Sequence, residues 1–305
     1  MNTFTHQALR YSSPDELVAT LVPLARIAIR RGEPVVIVLP APLPDRLADH
    51  LGRDGAAVEF TDYADTYRSP AYTLAQLVRT LRDHATNGCR PTVVGSPLIG
   101  LRAGAEVLPW LHIESVFNTA LADIPAHMVC SYPSDRLTAT VETWVNQTHP
   151  ELVRAGGDPV PSADYLPPPQ FLAAYPAPPA APLGPPSFEL RFGAEPLGPI
   201  RRMLATRAAD AGLSTDRAQD LILAVSEAMT NSVEHGAGTG VLRGWLNGQL
   251  TIEVHDAGTF LDDYWGLLPP APTALRGRGL WLIRQLCDRA HIWSDSTGTT
   301  VRLTT

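Results

Sequence analysis

The sequence predicts an α/β protein of two domains in series: an N-terminal parallel-sheet α/β domain, then a C-terminal α/β sandwich of antiparallel strands under helices. Three observations carry this. The chain has 305 residues, enough for two ordinary domains. Over its first half, short β-branched apolar runs alternate with amphipathic segments, the pattern of a parallel sheet covered by helices on both faces. A proline-crowded stretch, DPVPSADYLPPPQFLAAYPAPPAAPLGPP, then breaks the alternation, and beyond it strands follow one another. The boundaries read as 1–157, 158–186 and 187–305.

In chain order, the first domain offers strands at 34–40 (PVVIVLP), 56–60 (AAVEF), 91–97 (PTVVGSP) and 126–133 (AHMVCSYP). Helical patterns fall at 14–31, 43–53, 72–87, 101–121 and 134–148. In the middle stretch proline fixes φ and lacks an N–H, which predicts a semi-rigid extended linker with neither helix nor central strand. Tyr165, Phe171 and Tyr175 offer it anchors on one domain. The second domain opens with SFELRF, continues with helices at 196–211 and 214–235, and joins VLRGWLN to LTIEVHD through Gly248. An irregular stretch (259–275) leads to a helix from Gly279 and to the strands HIWS and TTVRLT.

Composition excludes several functions. The net charge is −7, which gives a nucleic-acid partner no electrostatic support. All 24 basic residues are arginine, so a P-loop, a eukaryotic-type kinase site and Schiff-base chemistry each lack their lysine. Cys89, Cys130 and Cys287 form no C-x-x-C pair and suggest a reducing compartment. MNTFTHQALRYSSPDE lacks the regions of a signal peptide, and LVATLVPLARIAI is broken by Pro23 and Arg26, so no membrane span is expected and the protein reads as cytoplasmic.

The chemistry concentrates in the second domain. Ser214 or Thr215 is placed to cap helix 214–235, and Leu221, Ala224, Val225, Ala228 and Met229 give it a broad apolar surface. Within it, SEAMTNSVEH sets Glu227, Asn231 and His235 four residues apart, as one stripe facing either water or a ligand. Asp256-Ala257-Gly258 directly follows a strand; a carboxylate there can accept from an exocyclic amine such as adenine's, and Gly258 lets the backbone approach closely. RGRGLWLIRQL puts Gly277, Arg278, Gly279 and Leu280 at the start of an apolar helix, where free N–H groups and the dipole suit phosphate. Gly298-Thr299-Thr300 enters a last strand and by itself is an ordinary hairpin turn. Each piece alone fits a plain turn or a solvated face; their order and spacing together are specific.

Those four pieces resemble the boxes of the GHKL ATPase superfamily, and most closely its anti-sigma regulatory serine-kinase branch, over roughly Ser187 to Thr305. SEAMTNSVEH is similar to the N box, HDAG to the G1 box, RGRGLW to the G2 box and GTTVRL to the closing motif. The resemblance implies ATP and Mg²⁺ as cofactors. Asn231 would hold the magnesium, and Glu227 would orient or deprotonate the attacking group as the catalytic base. Asp256 would bind adenine with Gly258 beside it and Thr299 or Thr300 in support. Gly277 and Gly279, with Arg278 and Leu280, would line the phosphates, and 259–276 would form the lid. One amide ligand suits magnesium, which keeps phosphate oxygens and waters as its other ligands. Without lysine, Arg276 and Arg278 are placed to supply further charge. Phe260 departs from the fuller D-x-G-x-G form, and the short lid carries an aromatic pair, Tyr264-Trp265. With no acceptor hairpin ahead of this domain, histidine-kinase activity is not expected, and a helix-terminal cap is favoured for His235.

In the first domain, FTHQALRYSSPDEL, FTDYADTYRSP and FNTALADIPAHMVCSYP resemble the MEDS sensory domain over roughly Thr3 to Tyr165. That family is thought to be a degenerate relative of RecA-like ATPases and to sense ligands, which implies an unidentified small-molecule signal. His6, Tyr11, His112 and Glu114 are candidates to line its pocket, with a structural role favoured for His6, and the scattered histidines show no metal-binding spacing. Together the resemblances imply partner switching between a sigma factor and an anti-anti-sigma (STAS) protein phosphorylated on serine, with a homodimer left open. The alternative is a non-catalytic anti-sigma or partner-binding module with a structural or degenerate nucleotide pocket. Phe260 and the compact lid favour it; Glu227 and Asn231 oppose it.

Overall fold

A computed structural model describes residues 4–97, 107–259, 264, 266–270 and 278–305. The chain divides into two compact units, 1–175 and 176–305.

In unit 1 the strands are β1 (Thr5–Tyr11), β2 (Val35–Val38), β3 (Val58–Phe60), β4 (Thr92–Gly95), β5 (His127–Pro133), β6 (Glu151–Arg154) and β7 (Val160–Pro161). They form one sheet in the order β3-β2-β4-β5-β1-β6-β7, parallel throughout except for antiparallel β6–β7. The helices are α1 (Pro14–Arg30), α2 (Leu43–Leu51), α3 (Tyr63–Thr66), α4 (Pro70–Thr86), α5 (Leu108–Ala120), α6 (Ala139–Thr148) and α7 (Pro168–Ala174). Leu17, Leu21 and Ala25 of α1 and Leu47 of α2 pack with Ile37, Val94 and Val129 in one core cluster. Buried strands with both faces covered need apolar runs, and β2 and β4 supply them.

Two sequence expectations are corrected here, on the number of strands and on the proline-rich stretch. The sheet has more than the four strands that apolar runs reveal: β1 sits near its centre although THQALRY mixes polar with apolar residues. Its polar side chains are met by distant partners: His6 by Asn118 at 3.0 Å, Gln7 by Glu151 at 2.7 Å, and Arg10 by Glu142 and Asn146. The helix expected at 101–121 is observed as α5; residues 98–106 lie outside the described ones. The proline-rich stretch does hold a helix, α7, because its prolines occupy the first turn, where the missing N–H costs nothing. Phe171 is fully buried, and Tyr175 packs against Phe171 and Trp144.

Unit 2 comprises β8 (Phe188–Phe192), α8 (Gly198–Asp210), α9 (Thr215–Glu234), β9 (Gly240–Leu246), β10 (Leu250–Asp256), α10 (Gly279–Leu286), β11 (Arg289–Asp295) and β12 (Gly298–Thr304). The sheet order is β11-β12-β10-β9-β8, antiparallel at every pairing. One face carries Leu242, Leu250, Ile252, Val254, Ile292, Val301 and Leu303 against Leu221, Ala224, Val225, Ala228 and Met229 of α9 and Ile283 of α10. Alternation turns the remaining strand side chains to the other face. There the proline-rich stretch lies as a strap: His291 Nε2 bonds to Pro178 O at 2.7 Å, Arg302 Nη1 donates to Ala181 O at 2.7 Å, and Trp245 Nε1 donates to Gly184 O at 3.1 Å. No helix among the described residues is long and apolar enough to cross a membrane.

Candidate functional site

In unit 2 the site is built on α9. Ser214 caps its start, accepting from Arg217 N at 3.4 Å. Glu227 and Asn231 are half-buried beside a fully buried stripe, and His235 is exposed as the residue that ends the helix, its N donating to Asn231 O at 2.8 Å. The stripe therefore divides: two rungs are set against other elements, and the third is a cap in water.

What faces Glu227 and Asn231 is the first turn of α10. A Cβ added at Gly279 would lie 3.1 Å from Glu227 Oε2 and 3.2 and 3.3 Å from Asn231 Nδ2 and Oδ1. A side chain at Gly279 would fill the space that the carboxylate and the amide share with the helix start. Arg278 takes the N-cap position without a side-chain cap of its own, so the leading N–H groups of α10 are not satisfied by that device. Leu280 packs over Gly266, whose positive φ of 67° brings its backbone against the Leu280 side chain. Gly277, Phe260, Trp265 and Arg276 lie outside the described residues.

The β10 end forms the second part. Asp256 is buried, and its Oδ1 accepts from Gly258 N at 2.7 Å and Ala237 N at 3.3 Å. Glycines crowd around it. A Cβ at Gly258 would come within 2.6 Å of Asp256 Oδ1 and of Gly236 Cα, and one at Gly298, where φ is 131°, would overlap Asp256 O. Thr299 pairs with Asp256 across β10–β12 and donates from Oγ1 to Gly258 O at 2.9 Å, tying the Asp-Ala-Gly turn to the last strand. Of the two alternatives offered beside Asp256, Thr299 or Thr300, Thr300 is the one turned away. It points to the opposite face of the sheet, where its hydroxyl meets His255 Nδ1 at 3.0 Å, because adjacent strand residues alternate. Gly236 escaped sequence reasoning; the run HGAGTG after the N box was the available signal. A cavity of about 720 Å³ opens on the β8–α8 side of Asp256, lined by Phe192, Leu197, Ile200, Val241 and Ala257. It does not include Glu227, Asn231 or Gly279, so the convergence of those three is separate from it.

In unit 1 two of the four candidates are held by other partners. His112 Nε2 bonds to Tyr175 O at 2.7 Å, and Tyr11 lies beside Arg136 and Asp135. His6 and Glu114 do meet, at 3.3 Å, together with two residues that sequence reasoning passed over, Cys130 and His149. Burial alone would raise the Glu114 carboxyl; hydrogen bonds from His149 and His6 override it and bring it to about 2. No spacing announces this group, since its members come from β1, α5, β5 and the end of α6.

Comparison with known proteins agrees with this layout. The histidine kinase-like ATPase domain matches residues 192–305, and the methanogen/methylotroph DcmR sensory (MEDS) domain matches residues 5–150. The serine-protein kinase RsbW of Bacillus licheniformis strain ATCC 14580 is 36% identical over 121 residues, covering 34% of this chain and 74% of the relative. A second RsbW sequence from that species is 35% identical over 120 residues. Among solved structures, the RsbU and RsbW domains of a Mycobacterium tuberculosis protein are 25% identical with a TM-score of 0.28, covering 39% of this chain and 32% of that one. A KaiC-like protein from Pyrococcus horikoshii is 14% identical with a TM-score of 0.33, covering 50% of this chain and 70% of that one.

Proposed function

From the premise that this chain belongs to the RsbW family of histidine kinase-like ATPase domains, here preceded by a MEDS sensory domain, we propose that unit 2 is an ATP-dependent serine kinase and anti-sigma factor under the control of unit 1. The observation that carries the proposal is the convergence of Glu227, Asn231 and Gly279. A carboxylate and an amide share one space at the start of a helix, and a Cβ at Gly279 would crowd both at 3.1–3.3 Å.

The donor set suits the proposed ligands. A single amide oxygen, from Asn231, is a fitting protein ligand for Mg²⁺ that is otherwise held by phosphate oxygens and water. Bound there, the ion would neutralise charge on the phosphates. The start of α10, with Arg278, Gly279 and Leu280, is the phosphate side. Asp256, held by Gly258 N and Ala237 N through one oxygen, has its other oxygen to offer an exocyclic amine, with Thr299 keeping the turn in place. Glu227 orients the substrate hydroxyl or takes its proton.

The substrate is a serine on an anti-anti-sigma (STAS) protein, and the alternating partner is a sigma factor. The unmodified STAS protein displaces the sigma factor, and phosphorylation restores the inhibited complex. The setting is cytoplasmic. Transfer of labelled phosphate from ATP to a STAS protein of the source cell tests this. Glu227→Gln should lower the rate by about 10²–10⁴-fold, the usual contribution of a positioned base, with nucleotide binding retained. Magnesium-dependent binding without transfer to any STAS serine would contradict the kinase assignment and leave a non-catalytic partner-binding module.

A further inference from the structure

We infer that His6, Glu114, Cys130 and His149 form a closed tetrahedral site for a zinc-type divalent transition-metal ion in the core of unit 1. The inference rests on unit 1 alone and is independent of what unit 2 catalyses.

Distances come first. Glu114 Oε2 lies 3.3 Å from His6 Nε2, 3.3 Å from His149 Nε2 and 3.2 Å from Cys130 Sγ, and Cys130 Sγ lies 3.5 Å from His6 Nε2. All four ligand atoms fall within 4.8 Å of one another. A tetrahedron with metal–ligand bonds of about 2.0–2.3 Å has edges of about 3.3–3.8 Å. Four of the six edges already stand at nearly that spacing, and the other two lie within 4.8 Å.

Hydrogen bonding then fixes which atoms face inward. Asn118 Nδ2 donates to Thr148 O at 2.8 Å and Ser115 O at 3.1 Å, so its Oδ1 is the atom turned to His6 Nδ1 at 3.0 Å. An amide oxygen only accepts, so Nδ1 of His6 carries the proton and Nε2 presents a lone pair. His149 Nδ1 faces the carbonyl of Val145 at 2.9 Å, which imposes the same tautomer. With both rings neutral, two imidazole lone pairs point at a carboxylate oxygen, an arrangement that a shared cation satisfies. Orienting contacts of this kind, from the far ring nitrogen to an amide or a carbonyl, are what metal-binding histidines require. Tyr132 also reaches His149 Nε2, at 3.3 Å, and the Cys130 S–H lies within reach of both Glu114 Oε2 and His6 Nε2, so these two residues supply one proton each to three acceptors.

A divalent ion suits this buried set of donors. One carboxylate and one thiolate cancel its charge, so the occupied site is neutral, as a buried site must be. Relative exposures of 2% for His6, 2% for Glu114, 1% for Cys130 and 0% for His149 leave no open coordination position. Imidazole, thiolate and carboxylate in a closed four-ligand set favour zinc over the harder cations. On binding, Cys130 loses its thiol proton to solvent, and the ion joins β1, β5, α5 and the end of α6.

The full chain, purified without a histidine tag from zinc-replete cells, tests this by elemental analysis, with about one zinc per chain expected for a closed site. After stripping with a chelator, titration with cobalt(II) should give the visible ligand-field bands of a tetrahedral ion and a near-ultraviolet thiolate-to-cobalt charge-transfer band. Cys130→Ser should abolish the charge-transfer band. Asn118→Ala, which among the four ligands contacts only His6 and does so at its far nitrogen, should weaken affinity by about 10–100-fold while saturating at the same stoichiometry. The assignment is overturned if wild type carries no stoichiometric zinc and shows no cobalt bands, leaving a hydrogen-bonded polar cluster. It is equally overturned if the charge-transfer band survives Cys130→Ser, which would put the ion at Cys89 or Cys287.

Discussion

The two units place their polar chemistry in opposite ways. In unit 2, Glu227 and Asn231 lie one turn apart on α9, and Asp256, Gly258, Gly279 and Thr299 sit at the ends of strands or at the start of a helix. In unit 1, His6 and Cys130 are 124 positions apart and meet only because β1 and β5 are neighbours in the sheet. In unit 2 short local motifs at element ends are brought together. In unit 1 a cluster drawn from distant strands and helices is buried in the core, where we propose a resident ion.

That contrast is open to attack by mutation, from the largest expected effect down. Glu114→Ala removes the acceptor on which His6, Cys130 and His149 converge, and should destabilise unit 1 by about 3–5 kcal/mol. Denaturant titration with hydrogen exchange read at β1, α5 and β5 checks this; a loss below about 1 kcal/mol would mean the cluster is not holding these elements together. Gly298→Ala forces a Cβ into the Asp256 carbonyl at a backbone angle reserved for glycine, and should destabilise unit 2 by about 2–3 kcal/mol. Loss of β12 protection is the readout, and an unchanged denaturation midpoint would refute it.

A third test uses pH. Burial, aided by Arg90, brings the His127 imidazole down to about 4 from an ordinary value near 6.5. Between those two values the unfolded chain holds a proton that the folded chain lacks. Stability should therefore fall as pH drops from 6.5 to 4 and gain nothing from this group above 6.5. As His127 is only partly buried and bonds Gln7 Oε1 at 2.8 Å, the effect should be about 1–2 kcal/mol. His127→Asn should flatten the slope by that amount, and a parallel shift of the whole curve would contradict it. The smallest effect belongs to the α9 cap: Ser214→Ala should cost about 0.5–1 kcal/mol in a thermal melt, and a larger loss would show that the Arg217 N contact understates its role.

How much of this the sequence disclosed follows the same division. The apolar runs of β2, β4 and β5 and the amphipathic faces of α1, α4 and α9 were legible, because burial on one face or both writes itself into hydrophobic period. β1 was not, because its His, Gln and Arg are satisfied by partners more than a hundred residues away, which no local pattern records. α7 hid behind prolines that are harmless in a first turn. In unit 2 the motifs were legible, and the choice left open between Thr299 and Thr300 is a one-residue ambiguity that strand alternation resolves only once register is known. In unit 1, His6 and Glu114 were named as candidates, but Cys130 and His149 look like ordinary core residues until the sheet order puts them together.

The central claim is that the space between α9 and the start of α10 holds magnesium and nucleotide phosphate. Calorimetric titration of the full chain with ATP, with and without magnesium, tests it against Asn231→Ala. The account predicts magnesium-dependent binding by wild type. For the variant it predicts a loss of more than about 100-fold, beyond that of an outer-shell partner, with its thermal melt unchanged. Absence of ATP binding by wild type, or equal binding by the variant, would contradict it.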